Sequence, residues 1–114
     1  MKNLIRQGDC LFIPIQESEL HEYQRERMKR DENGTIMLGE STGHAHRVAD
    51  LAEAEVLKID GFRESEIYVR VGPNGVSIIH EEHKTVQLRP NTFYKLHVAK
   101  EYDYLSNLSR PVRD

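Results

Sequence analysis

A chain of 114 residues, 38% hydrophobic and 31% charged, is long enough for one domain with a modest core and too short for two. A formal net charge of −3, from 16 basic and 19 acidic side chains, argues against a general nucleic-acid coat, and a single cysteine, Cys10, excludes a disulfide framework and a zinc site built mainly on thiolates. The longest apolar cluster, Cys10 to Ile15, is broken by Pro14 and falls far short of the roughly 20 residues of a membrane helix. Met1-Lys2-Asn3-Leu4-Ile5-Arg6 does not lead into an apolar signal region, so a cytoplasmic protein with no membrane partner is expected.

Apolar residues alternate with period two more often than they recur at helical spacing, which predicts an all-β chain. Gly8-Asp9 leads into Leu11, Ile13 and Ile15, a set that puts three aliphatic side chains on one strand face, and Pro14 places that strand at an edge or ends it. Cys10 reads as a small core hydrophobe. Tyr23 to Lys29 and Thr35 to Leu38 are expected to pair as strands across Asn33-Gly34, although propensity alone also allows a short helix over the first. On such a strand Arg25, Arg27 and Lys29 form a basic stripe able to track a phosphate backbone, or, with Glu22 and Glu26 interspersed, a plain solvated face.

A glycine-bounded loop, Gly39-Glu40-Ser41-Thr42-Gly43, then delivers His44-Ala45-His46-Arg47-Val48, and Ala49 to Ala54 is a helical turn or a loop. Strands follow at Glu55 to Ile59, Glu66 to Val71 and Val76 to His80, the last two read as a hairpin about Gly72-Pro73-Asn74-Gly75. Thr85 to Leu88 and Phe93 to Val98 flank the Arg89-Pro90-Asn91-Thr92 turn, and the tail from about residue 105 is expected to be loosely held. The expected architecture is a single β domain over residues 1–114, a small β-barrel or sandwich of about seven or eight short antiparallel strands.

Histidine is the unusual component: His21, His44, His46, His80, His83 and His97 occur in a chain with no Trp and three Phe. One residue apart on an extended strand, His44 and His46 project from the same face roughly 6–7 Å apart, and two such imidazoles can converge on one ion at about 2.0–2.1 Å. An isolated His-x-His is more simply a polar pair on a wet sheet face. Here His80-Glu81-Glu82-His83 brings two more imidazoles, bracketing two carboxylates where a strand gives way to a turn. A rim site shared by His44, His46, His80 and His83 is expected, with Glu82 and Lys84 in support. Leu96 and Val98 mark the core face of the last strand, so His97 points to solvent or into a cavity, and His21, in a charged stretch, reads as a surface residue.

Two chemistries suit such a set. Three protein ligands on a zinc, manganese or iron ion leave a position for an ionised water, with Glu82 or Glu81 as general base or further ligand. Alternatively, without metal, a neutral and a protonated histidine act as base and acid in phosphodiester transesterification. Arg47 and Lys84 adjoin the two pairs and suit a phosphate, although neighbouring strand positions face opposite ways and turn Arg47 from His46. Tyr102 and Tyr104 could stack on a base, or simply pack.

Together Gln7-Gly8-Asp9, Gly39-Glu40-Ser41-Thr42-Gly43-His44-Ala45-His46-Arg47, His80-Glu81-Glu82-His83 and Glu101-Tyr102-Asp103 resemble a family of small bacterial and phage proteins of unassigned function, over most of the chain. That resemblance implies that the two histidine pairs belong together and supplies no reaction. Gly39, His44-x-His46 and Asp50, with the later Gly75 to His80 segment, partly resemble the metal motifs of cupin barrels, with one residue fewer before the first histidine and Asp50 where Glu is usual. The expected function is a small histidine-site hydrolase, of phosphodiesterase or ribonuclease type, acting on RNA or a nucleotide. A cupin-like, non-hydrolytic metalloprotein is the alternative, and a phage or host interaction module with structural or pH-sensing histidines is a third. A homo-oligomer is compatible with each.

Overall fold

A computed structural model describes residues 4–38, 44–61 and 65–98. The alternating apolar pattern builds ten strands there: β1 (Ile5–Gln7), β2 (Cys10–Ile15), β3 (Lys29–Arg30), β4 (Thr35–Leu38), β5 (Ala45–Val48), β6 (Ala54–Ile59), β7 (Glu66–Val71), β8 (Val76–Ile79), β9 (Val86–Leu88) and β10 (Phe93–Val98). A 3₁₀ turn (Glu17–Glu19) and a short helix α1 (Glu22–Arg27) separate β2 from β3. The strands form two open antiparallel sheets rather than a closed barrel, one ordered β1-β2-β10-β7-β6-β3 and the other β4-β5-β8-β9. The all-β expectation holds; β1 and β3, of three and two residues, are too short to carry a periodic signal.

Both sheets contribute to one core. Cys10, Phe12, Val56, Val69, Val71, Tyr94 and Leu96 come from the first, and Ile36, Val48, Val76, Ile78 and Leu88 from the second. The other face of the larger sheet carries a second cluster, Leu57, Ile59, Tyr68 and Phe93, covered by Leu20 and Met28 from the segment around α1. Because both faces of that sheet are covered, alternation alone does not reveal which face meets the main core. In β2 it is Cys10 and Phe12 that are fully buried, whereas Leu11, Ile13 and Ile15, expected inside, are half-buried. Nor is β2 an edge strand: it lies between β1 and β10, but β1 reaches only to Phe12, so Pro14 stands where one side is open.

Two expected hairpins are corrected. Tyr23 to Lys29 is not a strand; Glu, Gln and Arg favour helix, and the His21 N–H donates to Gln24 Oε1 at 2.8 Å across the first turn of α1. Only Lys29 and Arg30 extend, and they pair with β6, while β4 pairs with β5. Arg25 and Arg27 therefore sit on the helix, and no basic stripe runs along a strand with Lys29. Gly34 still adopts the left-handed conformation expected at Asn33-Gly34, with φ +69°, but the turn passes the chain from one sheet to the other. Likewise β7 and β8 do not pair. Both edges of β7 are taken by β6 and β10, so the Gly72–Gly75 turn hands the chain to the second sheet, where β8 lies between β5 and β9. The loop Gly39-Glu40-Ser41-Thr42-Gly43, with Tyr102, Tyr104 and the tail, lies outside the described residues.

The 3₁₀ turn is tied to the sheet by Arg70, which pairs with Glu17, donates to Glu55 Oε1 at 2.7 Å and lies over the Phe93 ring. The guanidinium hydrogen bond holds the Glu17 carboxyl below its ordinary 4.5. The folded chain thus keeps Glu17 ionised where the unfolded chain protonates it, so this contribution is present above about 4.5 and lost as pH falls through the lowered folded value. Unfolding free energy in urea, followed from about pH 6 to about pH 3, should fall less steeply in Glu17→Gln than in wild type. Parallel curves would remove Glu17 from the acid response.

Candidate functional site

Gln7 and His46 are the buried polar residues among those described, 2% and 1% exposed. They satisfy each other. In β1, Gln7 lies opposite Cys10 and faces inward, and its Nε2 donates to the carbonyls of Ile78 and Lys84, both at 2.8 Å. With both amide protons engaged, only Oε1 remains to meet His46 Nδ1, also at 2.8 Å, so Nδ1 must carry the proton and donate. His46 therefore presents the lone pair of Nε2, 3.4 Å from Asp9 Oδ1. Burial, and then the neighbouring His80, push the imidazole toward its neutral form against the pull of Asp9. A neutral imidazole and a carboxylate face one another as two acceptors, an arrangement that a cation between them relieves.

His80 and His83 lie against His46, and His44 lies against His80. The His80 ring, just after β8, lies 4.3 Å from His46 between centres, 4.5 Å from His83 and 5.7 Å from His44. His83 lies parallel to His46 at 5.8 Å. Imidazoles bound to one ion at about 2.0–2.1 Å have ring centres roughly 4.5–5.2 Å apart between octahedral and tetrahedral angles; the His80–His83 spacing falls in that range, His46–His80 is shorter and His46–His83 longer. The Glu82 N–H donates to His80 Nδ1 at 3.0 Å, so in neutral His80 the proton sits on Nε2, the opposite tautomer to His46. His44 Nε2 stands 3.6 Å from Glu82 Oε2.

The surroundings hold these loops in place. Glu81 accepts the Ala45 N–H at 2.8 Å and pairs with Arg47 at 3.2 Å, which locks the end of β8 onto β5 and turns Arg47 away from His46, as adjacency on a strand requires. Those contacts, the Ala45 amide foremost, hold the Glu81 carboxyl below its ordinary range. Glu81 is thus occupied in structure, and Glu82 is the carboxylate beside a histidine. Lys84 is exposed at the rim. His97 is exposed on β10, His21 is exposed and stacked on Tyr23, and exposed Asp50 accepts the Ala52 N–H within its turn.

Sequence reasoning missed the β1–β2 turn as part of the site. There the ligand atoms of Asp9, Cys10 and His46 all lie within 4.8 Å of one another. Cys10 is buried as expected, and burial, with Asp9 beside it, pushes its thiol up to about 12. Gly8, at φ +60°, lets the His83 ring lie against the turn: a Cβ there would stand 2.5 Å from His83 Nε2. The available signal was a glycine between two polar residues at a strand start, with glutamine at an inward position.

These features define a two-sheet β domain with a histidine-lined site where the sheets meet. The chain belongs to the family described as a domain of unknown function, DUF8820, whose model matches residues 6–96 and so includes both histidine pairs. No curated protein and no solved structure matches it.

Replacing Gln7 with Ala strands two carbonyls and the His46 N–H in the interior. It should lower the unfolding free energy by about 2–4 kcal/mol in urea titration, and a loss under about 0.5 kcal/mol would show that water replaces the amide freely. Gly8→Ala should cost about 1–2 kcal/mol for the left-handed backbone and shift the His83 ring resonances in NMR.

Proposed function

We propose that the protein is a metal-dependent hydrolase of phosphodiesters, RNA or a nucleotide, with a divalent ion seated among His46, His80 and His83. The observation that supports this most is the packing of the His80 and His83 imidazoles against His46, whose tautomer Gln7 sets so that Nε2 faces the cluster. His46, with Nδ1 tied to Gln7 and the lone pair of Nε2 free, suits a ligand, and His80 would serve as one by exchanging the Glu82 N–H for the ion at Nδ1. An ion held there would lower the pKa of its water toward neutrality and set positive charge against the phosphate. In this reading His44, 3.6 Å from Glu82, carries a proton to the departing oxygen, and Lys84 offers a cation to the phosphate.

Untagged protein should retain about one zinc, manganese or iron ion per chain by elemental analysis. It should cleave bis(p-nitrophenyl) phosphate or an RNA oligomer, and EDTA should abolish this. His44→Ala should keep the ion and lose about 10²–10⁴-fold in rate, whereas His80→Ala and the exposed His83→Ala should weaken ion binding itself. Binding without turnover on any phosphodiester would replace the proposal with a non-hydrolytic, cupin-like metalloprotein. Cleavage that survives EDTA would replace it with acid and base histidines, and neither binding nor cleavage would leave an interaction module.

A further inference from the structure

We propose that Asp9 and Cys10 complete this centre, making it a mixed nitrogen, oxygen and sulfur site that selects zinc-type ions over manganese and magnesium. The inference rests on reading the histidine cluster as a metal centre and names donors that the histidine motifs do not contain. In an uninterrupted strand, consecutive side chains point to opposite faces and Asp9 and Cys10 could not share a ligand. Here they flank a reversal: Gly8 takes φ +60°, and Gln7 and Cys10 pair across the turn, so Cys10 faces inward with Gln7 while Asp9 swings toward the same point from the rim. The Asp9 carboxylate is 42% exposed and reaches His46 Nε2 at 3.4 Å. Cys10 lies beneath it, and the donor atoms of the three residues lie within 4.8 Å of one another.

The turn also touches the cluster from its second side, where the His83 ring fills the space that a side chain at residue 8 would take. Two histidine-bearing segments thus close on the β1–β2 turn, the rim of β5 through His46 against Asp9 and Cys10, and the β8–β9 connection through His83 against Gly8. Donor chemistry then decides the ion. Thiolate and imidazole favour zinc, cobalt and copper, whereas manganese and magnesium favour oxygen. A site of carboxylate and water oxygens alone would have no use for a sulfur at this position; Cys10 provides the discrimination.

Cobalt(II) added to metal-stripped protein tests this independently of turnover. Wild type should show visible d–d absorption together with a near-ultraviolet thiolate-to-cobalt charge-transfer band, and excess manganese should not displace the ion. Cys10→Ser, nearly isosteric, should lose the charge-transfer band and keep the visible bands, and Asp9→Asn, at an exposed carboxylate, should weaken cobalt binding by at least about tenfold. Visible bands without charge transfer in wild type would overturn the role of Cys10 and leave the histidine metal centre standing. Absence of any cobalt spectrum would overturn both readings. The wild-type spectrum decides the matter even if Cys10→Ser fails to fold.

Discussion

The side-chain amide of Gln7 is the interaction on which the rest of the structure turns. It sits on the short β1 strand of the larger sheet and reaches three groups of the other layer: the Ile78 carbonyl on β8, the Lys84 carbonyl before β9, and the His46 imidazole on β5. A buried primary amide has no lower-energy option than to satisfy its donors and acceptor at once, since each unmet group costs about 1–3 kcal/mol in an interior that water does not reach. The geometry that meets all three demands also fixes how the two sheets approach at this end of the core. Hydrophobic burial brings the layers together without direction; the amide supplies the direction.

Chemistry at the site follows from that constraint. Because both Gln7 protons go to carbonyls, His46 has one tautomer available, and its second nitrogen must face outward to Asp9 and the other imidazoles. Glu81 does comparable work from the opposite side by clamping the end of β8 to β5, and this leaves Glu82 free to stand beside His44. Two adjacent glutamates in one motif therefore have different tasks, one structural and one facing the site. The division arises because successive residues past a strand end point in different directions, not because their chemistry differs.

Both the apolar core and the polar cluster draw on the same strands. Val48 lies two residues beyond His46 on β5 and packs into the main core, while Cys10 belongs at once to that core and to the group around His46. Inward-facing positions near a sheet end thus pass from hydrophobic to imidazole-bearing within one pleat. Such a boundary gives the imidazoles a rigid base and an open rim, which a catalytic or binding centre needs.

Much of this was legible in the amino-acid order, because side-chain alternation and turn chemistry are local. The all-β class follows from alternation, the surface position of His21 from its charged neighbours, and the grouping of His44-x-His46 with His80-x-x-His83 as one candidate set from the density of histidine, while alternation on the last strand left His97 facing solvent or a cavity. The α1 helix was only half legible, since six residues with Tyr23 exposed among five polar ones and no buried face carry no periodicity. What the tertiary structure alone decided is non-local. It settled which sheet each strand joins, that Gly72–Gly75 crosses between sheets rather than closing a hairpin, and that Cys10 and Phe12 rather than Leu11 and Ile13 face the main core. It also brought Gln7, Asp9 and Cys10 to the histidines. A strand's own residues record the alternation of its two faces, but which edge accepts which partner, and which face is covered by what, depends on hydrogen bonds and packing from segments as far as 77 residues away.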